Sequence, residues 1–182
     1  MSISFKALPL CGYVTSIFLL MISIGVKAQA PIDYSVVFIS GSYGYTAYDS
    51  ERNVRDDSIR GMALGLHLTR QWSASMFYSR ADPESTVGED YRYENYYIQG
   101  KYYFRGETSL RPYIVLGIGE VMIDKKQVSS DTAIHSGVGV HWVLSPKWAL
   151  QFDYRYFYEK KNSHTDQSVM STLVYRFGNG ES

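Results

Sequence analysis

The sequence predicts an all-β protein: an eight-stranded antiparallel up-and-down transmembrane β-barrel behind an export signal. Three observations predict it. Eight segments of strand length alternate large apolar residues with small, polar or charged ones at period two. The connections between them alternate long and short, beginning with a long one. The composition is rich in Tyr (17) and Gly (15) and poor in Pro (5), a balance that favours strands over helices.

Length and charge narrow the function classes. A chain of 182 residues suits one domain. With 18 Lys+Arg against 18 Asp+Glu it lacks the basic excess that phosphate contacts require, so no nucleic-acid partner is expected. A bundle of membrane helices would need runs of about 20 apolar residues, which do not recur along the chain.

The N-terminus reads as a signal peptide over residues 1–28. Lys6 opens a short positive region and Val14–Val26 is an apolar run of signal length. Val26 and Ala28 occupy the two recognised positions for cleavage after Ala28. Cleavage after Ala30 would place Pro31 directly behind the cut, so Gln29 is the expected mature start and 29–182 the barrel domain. Removing the signal removes Lys6, Lys27 and Cys11, leaving 16 basic and 18 acidic side chains and no cysteine. Disulfides and thiol catalysis are thereby excluded from the mature chain.

The segments are, in order, Ser35–Tyr45, Ile59–Leu68, Trp72–Arg80, Tyr91–Phe104, Arg111–Ile123, Asp131–Leu144, Trp148–Tyr158 and Ser168–Phe177. In the second, Met62, Leu64, Leu66 and Leu68 share a face with Arg60, opposite Gly61, Ala63, Gly65 and His67. The third opens on Trp72 and the fourth closes on Tyr102-Tyr103-Phe104. The fifth is apolar on both faces (Ile114, Leu116, Ile118 against Tyr113, Val115, Val121), so periodicity alone does not orient it. The sixth carries His135 and His141 on one face. In the seventh, Trp148, Leu150, Phe152, Tyr154, Tyr156 and Tyr158 oppose Ala149, Gln151, Asp153, Arg155 and Phe157. The eighth sets Val169, Leu173, Tyr175 and Phe177 against Ser168, Met170, Thr172 and Arg176. A soluble sandwich would bury the large residues; here the minority face of Gly, Ala, Ser, His, Asp and Arg suits a narrow polar lumen.

Short links fall at Thr69–Gln71, Arg105–Leu110 and Ser145–Lys147, and long polar ones at Thr46–Ser58, Ala81–Asp90, Lys125–Ser130 and Glu159–Gln167. Short turns are periplasmic and long loops extracellular in outer-membrane barrels. The stretch Leu68-Thr69-Arg70-Gln71-Trp72 is echoed by Leu144-Ser145-Pro146-Lys147-Trp148. Indole rings favour the headgroup boundary, so Trp72 and Trp148, joined by Trp142, are expected to mark the inner girdle.

The last strand, Met170-Ser171-Thr172-Leu173-Val174-Tyr175-Arg176-Phe177-Gly178, resembles the final strand of the OmpA-like small outer-membrane barrels. Leu110-Arg111-Pro112-Tyr113 with Gly117 and Gly119, Tyr102-Tyr103-Phe104, and the Leu-Thr/Ser turn before Trp are similar to that family too. The resemblance spans residues 32–178. It implies a Gram-negative outer-membrane location, contact with outer-membrane lipids and lipopolysaccharide, and recognition of Tyr175 and Phe177 by the barrel-assembly machinery. Many family members carry a peptidoglycan-binding domain; the chain ends at Ser182, and no such domain is expected.

Chemistry is sparse. His67, Lys101, His135, His141, Asp153 and Arg155 all fall on the lumen face and are expected to form a polar network that fills it, since buried charges must pair. No catalytic residue, cofactor or metal is expected. The expected role is structural or surface-contacting, with loops available to lipopolysaccharide or to a host or surface ligand. An alternative is a lipid A-modifying enzyme, but His135 and Ser136 are adjacent and so point to opposite faces. A second is a small low-conductance pore, which eight strands scarcely leave room for. Asp49, Glu51, Asp56 and Asp57 lack the loop spacing of an EF-hand calcium site.

Overall fold

The computed structural model describes residues 36–49, 54–83, 92–104, 108–124, 128–160 and 164–177. The export signal, Glu51, Glu89, Asp90 and Lys161 lie outside the described residues. Within them every regular element is a strand: β1 (Val37–Ala47), β2 (Asp57–His67), β3 (Trp72–Ala81), β4 (Arg92–Tyr103), β5 (Leu110–Asp124), β6 (Val128–Val143), β7 (Trp148–Glu159) and β8 (Thr165–Phe177). Each pairs antiparallel with its sequence neighbour, and β8 pairs with β1 to close the barrel. Closure leaves no edge strand, so strand amides can pair on both sides where water is unavailable.

Period two decides what faces inward. Along β7, Ala149, Gln151, Asp153, Arg155, Phe157 and Glu159 are buried while Trp148, Phe152, Tyr156 and Tyr158 are exposed. The same alternation orients the fifth strand, which sequence left open. Tyr113, Val115 and Val121 are buried in the lumen, and Ile114, Leu116 and Ile118 point outward. Register settles it: Ile118 sits between Ile98 of β4 and Ile134 of β6, extending one row of exposed aliphatics. Val115 packs on Tyr103 and Tyr113, which is why the inner face of this strand is apolar as well.

Two strands begin three residues before their hydrophobic patterns predict. β6 begins at Val128, pairing with Asp124, so the loop expected at Lys125–Ser130 shortens to residues 125–127. β8 begins at Thr165 rather than Ser168. Polar residues hide both extensions, because backbone pairing carries the hairpin past the apolar band. The start of β8 is further fixed by reciprocal caps, Asp49 N to Asp166 Oδ1 (3.0 Å) and Thr165 N to Asp49 Oδ2 (3.1 Å).

Candidate functional site

The lumen is the chemically dense part of the molecule. At its middle Asp153 accepts two bonds from Arg155, Nε to Oδ1 (2.6 Å) and Nη2 to Oδ2 (3.3 Å), and one from the Tyr113 hydroxyl (2.5 Å). Arg155 continues across the barrel. Its Nη1 donates to Gln99 Oε1 on β4 (3.0 Å), its guanidinium lies 4.7 Å over the Phe77 ring on β3, and Gln99 passes the chain on to Ser75 (3.0 Å). β3 and β7 are diametrically opposed in an eight-stranded barrel, so one side chain spans the lumen. Arg155 and Asp153 have under 2% side-chain exposure, and a buried pair of this kind is held in place by complete hydrogen bonding.

Below that layer, toward the short-turn end, Lys101 Nζ bonds Gln151 Oε1 (2.5 Å), again from β4 across to β7, and sits 5.0 Å over Tyr113. Gln151 Nε2 contacts His141 Nδ1 (2.8 Å). The Tyr103 ring gathers the rest of this layer: His141 at 5.2 Å, His67 at 5.9 Å, and the Arg111 guanidinium at 4.7 Å. Arg111 also donates through Nη2 to the carbonyl of Arg70, closing the mouth against the first short turn.

His135 belongs to neither layer. Its ring is edge-on to Tyr97 (4.8 Å) and tilted against Phe157 (5.3 Å), and neither ring nitrogen has a hydrogen-bond partner. It occupies space that a side chain at position 117 would need: a Cβ on Gly117 would lie 2.1 Å from His135 Nε2. His135 is thus packed over a glycine rather than aimed at a nucleophile, and Ser136 faces outward. Among the described residues no group of three or more His, Cys, Asp or Glu could hold a metal ion.

The outer wall is layered by register. Ile39, Leu64, Met76, Ile98, Ile118 and Ile134 form one exposed row around six strands. The next row toward the long loops is Met62, Tyr78, Tyr96 and Glu120, and the one after it Arg60, Arg80, Glu94 and Met122. Aliphatic, then tyrosine, then charge is the order a bilayer and its headgroups impose. At the rim Asp82 sits among three arginines: Arg80 (2.8 Å), Arg92 (3.6 Å) and Arg60 (3.8 Å). Hydrogen bonds from Arg80, and the charges of Arg92 and Arg60, hold its carboxyl below the usual carboxylate range. Glu94 accepts from the Tyr78 hydroxyl (2.9 Å).

At the opposite end Trp72, Trp142 and Trp148 are exposed by 43–51%. The two echoed turns share one chemistry. Leu68 N and Leu144 N bond the carbonyls of Trp72 and Trp148 (2.9 and 3.0 Å), while Thr69 Oγ1 and Ser145 Oγ accept from the amides of those tryptophans (3.0 and 3.1 Å). Trp72 stacks on Tyr102 (4.9 Å) and Trp148 on Tyr175 (4.8 Å).

The six lumen residues singled out from sequence therefore fall in three levels, with Asp153–Arg155 in the middle, Lys101, His67 and His141 below, and His135 apart. Sequence reasoning assigned no role to Arg111, Tyr113, Gln151, Tyr103 or Arg176. Strand parity would have placed them inward, but only register brings them to one level.

Comparison with known proteins fits this geometry. Neisserial surface protein A superimposes with a TM-score of 0.67 at 14% identity, covering 78% of this chain and 97% of that one. The N-terminal β-barrel domain of Pseudomonas aeruginosa OprF gives 0.54 at 13% identity, covering 79% and 100%. Ail, the attachment invasion locus protein of Yersinia pestis, in complex with the heparin analogue sucrose octasulfate, gives 0.52 at 17%, covering 80% and 99%. At such identities the likeness is one of fold. Among curated proteins no sequence match is found. The outer membrane protein beta-barrel domain model matches residues 16–177, and the chain belongs to that family, an all-β barrel of the Gram-negative outer membrane.

Proposed function

We propose that the protein is a structural, surface-contact barrel that engages lipopolysaccharide phosphates at its long-loop rim through Arg60, Arg80 and Arg92. The observation that carries this reading is the outward cluster of Arg60 and Arg80, one tyrosine layer above the aliphatic row, with Arg92 two residues further out, at the level where phosphorylated headgroups lie. Arg60 and Arg92 reach Asp82 only at 3.8 and 3.6 Å and remain exposed, so both are free to turn toward an anion. The plugged lumen supports a structural role over a conducting one, since Arg155 and Lys101 both cross it. His135 without a hydrogen bond, and His141 bonded to Gln151, do not form the base–nucleophile pair that lipid A hydrolysis would need. The loops remain available to a host or surface ligand, the signal peptide directs export, and Tyr175 with Phe177 serves the barrel-assembly machinery.

The test is binding of the purified barrel to lipopolysaccharide and to its dephosphorylated form. Arg60→Gln/Arg92→Gln is expected to weaken binding to the first by roughly tenfold, on the scale of one or two charge-assisted contacts, and to leave the second unchanged. Equal affinity of wild type for both forms would refute the reading.

A further inference from the structure

Between the aliphatic row and the tyrosine row of the outer wall runs a groove of about 530 Å³. Its floor is the outer side of the backbone at Ala63, Phe77, Tyr97 and Gly119, on β2 to β5, and the first three of these turn their side chains into the lumen. Met62 and Met76 stand on opposite walls, 58% and 70% exposed. Their unbranched thioethers adapt to whatever lies between them. Three strand spacings of about 4.8 Å make the groove roughly 14 Å long, close to one leaflet's share of a hydrocarbon core of about 30 Å.

Register sets its slope. Followed strand by strand from Ile39, the aliphatic row continues through Ile134 to Tyr158 on β7 and Thr165 on β8, yet Ile39 itself pairs with Tyr175. One circuit of the barrel thus gains ten residues, and Thr165 stands at the long-loop end of β8. Rows climb toward the long loops from β1 to β8, so the β5 end of the groove, beside Tyr96 and Glu120, is its upper end. Arg60 and Arg80 occupy the next outward positions above Met62 and Tyr78, over its upper wall. Glu120 is exposed at the mouth. A carboxylate there accepts from hydroxyl or amide groups and repels phosphate, while the two guanidinium groups take phosphate. The pairing suits a headgroup that carries both sugar and phosphate.

We propose that this groove seats one acyl chain of a phosphorylated glycolipid whose headgroup meets Arg60 and Arg80 and donates to Glu120, an inference that rests on the rim function proposed above. Hydrocarbon surrounds the barrel everywhere, so a flat wall gives one lipid no advantage over its neighbours. A recess that encloses a chain on three sides adds many small dispersion contacts at once. Apolar walls along its length and a slope toward the arginines order the ligand with its head outward.

The experiment measures affinity of the refolded full chain in detergent for lipid A, for its dephosphorylated form and for its form stripped of ester-linked chains. Wild type is expected to bind lipid A about tenfold more tightly than the stripped form, on the scale of many weak contacts acting together. Met62→Trp/Met76→Trp, which places two indoles across the groove, is expected to bind those two alike while keeping its preference for phosphate. Phe152→Trp/Val169→Trp, at exposed positions of β7 and β8 outside the groove, is expected to keep the tenfold ratio. The methyl resonances of Met62 and Met76 are expected to shift and saturate at one equivalent of lipid A, with that of the buried Met170 unmoved. An undiminished ratio in the filled barrel, or Met62 and Met76 methyls that do not saturate, would overturn the groove, and the rim reading would stand wherever phosphate preference persists. Equal wild-type affinity for lipid A and its dephosphorylated form, with the chain ratio still lost on filling, would refute the rim reading and leave the chain seat. A wild-type dimer that the filled barrel cannot form would overturn the proposal in favour of a second copy. If Met62→Trp/Met76→Trp does not fold, the wild-type methyl shifts decide alone.

Discussion

Replacing Ile98 by Arg tests whether the outer wall faces lipid, because register fixes its depth. Ile98 lies four residues above Tyr102, which pairs with Trp72 at the short-turn end. Four residues are about 13 Å of strand, or about 10 Å along the barrel axis at a tilt near 40°. The apolar band of an outer-membrane barrel is about 25 Å tall, so Ile98 stands within about 3 Å of the midplane. It is 67% exposed, so the new side chain displaces nothing from the lumen. The expected cost is roughly 2–4 kcal/mol, against 0–1 for Trp72→Arg at the boundary. Reversible unfolding in lipid vesicles, followed by tryptophan fluorescence, measures both. Equal costs at the two depths, or a neutral Ile98→Arg, would mean that this face is not in hydrocarbon.

Two further perturbations separate lumen from rim. Asp153→Asn leaves Arg155 buried without its counter-charge and is expected to cost about 3–5 kcal/mol in the same unfolding assay, whereas the joint replacement Asp153→Leu/Arg155→Met should cost much less. Asp82, by contrast, sits at the rim with 36% side-chain exposure. Its lowered carboxyl contributes stability fully above the ordinary carboxylate value of about 3.8, and that contribution is lost as pH falls through the lowered value. Solvent and salt screen it to well under 1 kcal/mol, so titrating wild type against Asp82→Asn should show a small difference at neutral pH that vanishes once pH falls below the lowered value, and in molar salt.

How much of this was legible in the sequence follows from what period two encodes. It gives the face of each residue, so the eight strands, the outward Leu64 and Leu66 and the inward Asp153 and Arg155 could be read directly. It gives no height along the axis. His141 and Arg176 are 35 residues apart and meet only because β6, β7 and β8 pair in one particular register. The fifth strand escapes this reading because Val115 on its lumen face packs on the rings of Tyr103 and Tyr113, leaving it as apolar as Leu116. Strand ends escape it where polar residues pair beyond the apolar band, as at Ser129, Ser130 and Thr165, since hydrophobic alternation stops there while backbone hydrogen bonding does not.

The two strand ends that carry Tyr-x-Phe, those of β4 and β8, offer a way to tell a girdle role from an assembly role. Trp72, Tyr102 and Phe104 stack at 4.9 and 5.0 Å, with interplanar angles of 57° and 90°. Trp148, Tyr175 and Phe177 stack at 4.8 and 5.0 Å, with 59° and 88°. Phe104 is 41% exposed and Phe177 50%. The same aromatic ladder therefore stands once in mid-chain and once at the end of the last strand, and interfacial packing accounts for both copies. If packing were all, Phe104→Ala and Phe177→Ala would be equivalent. They are expected to lower the stability of the refolded barrel equally, by about 1 kcal/mol, the scale of one partly exposed aromatic contact. In cells they should diverge, with Phe177→Ala alone reducing the heat-modifiable form recovered from outer membranes. Equal recovery of the two variants would leave Phe177 a girdle residue and remove the assembly signal from it.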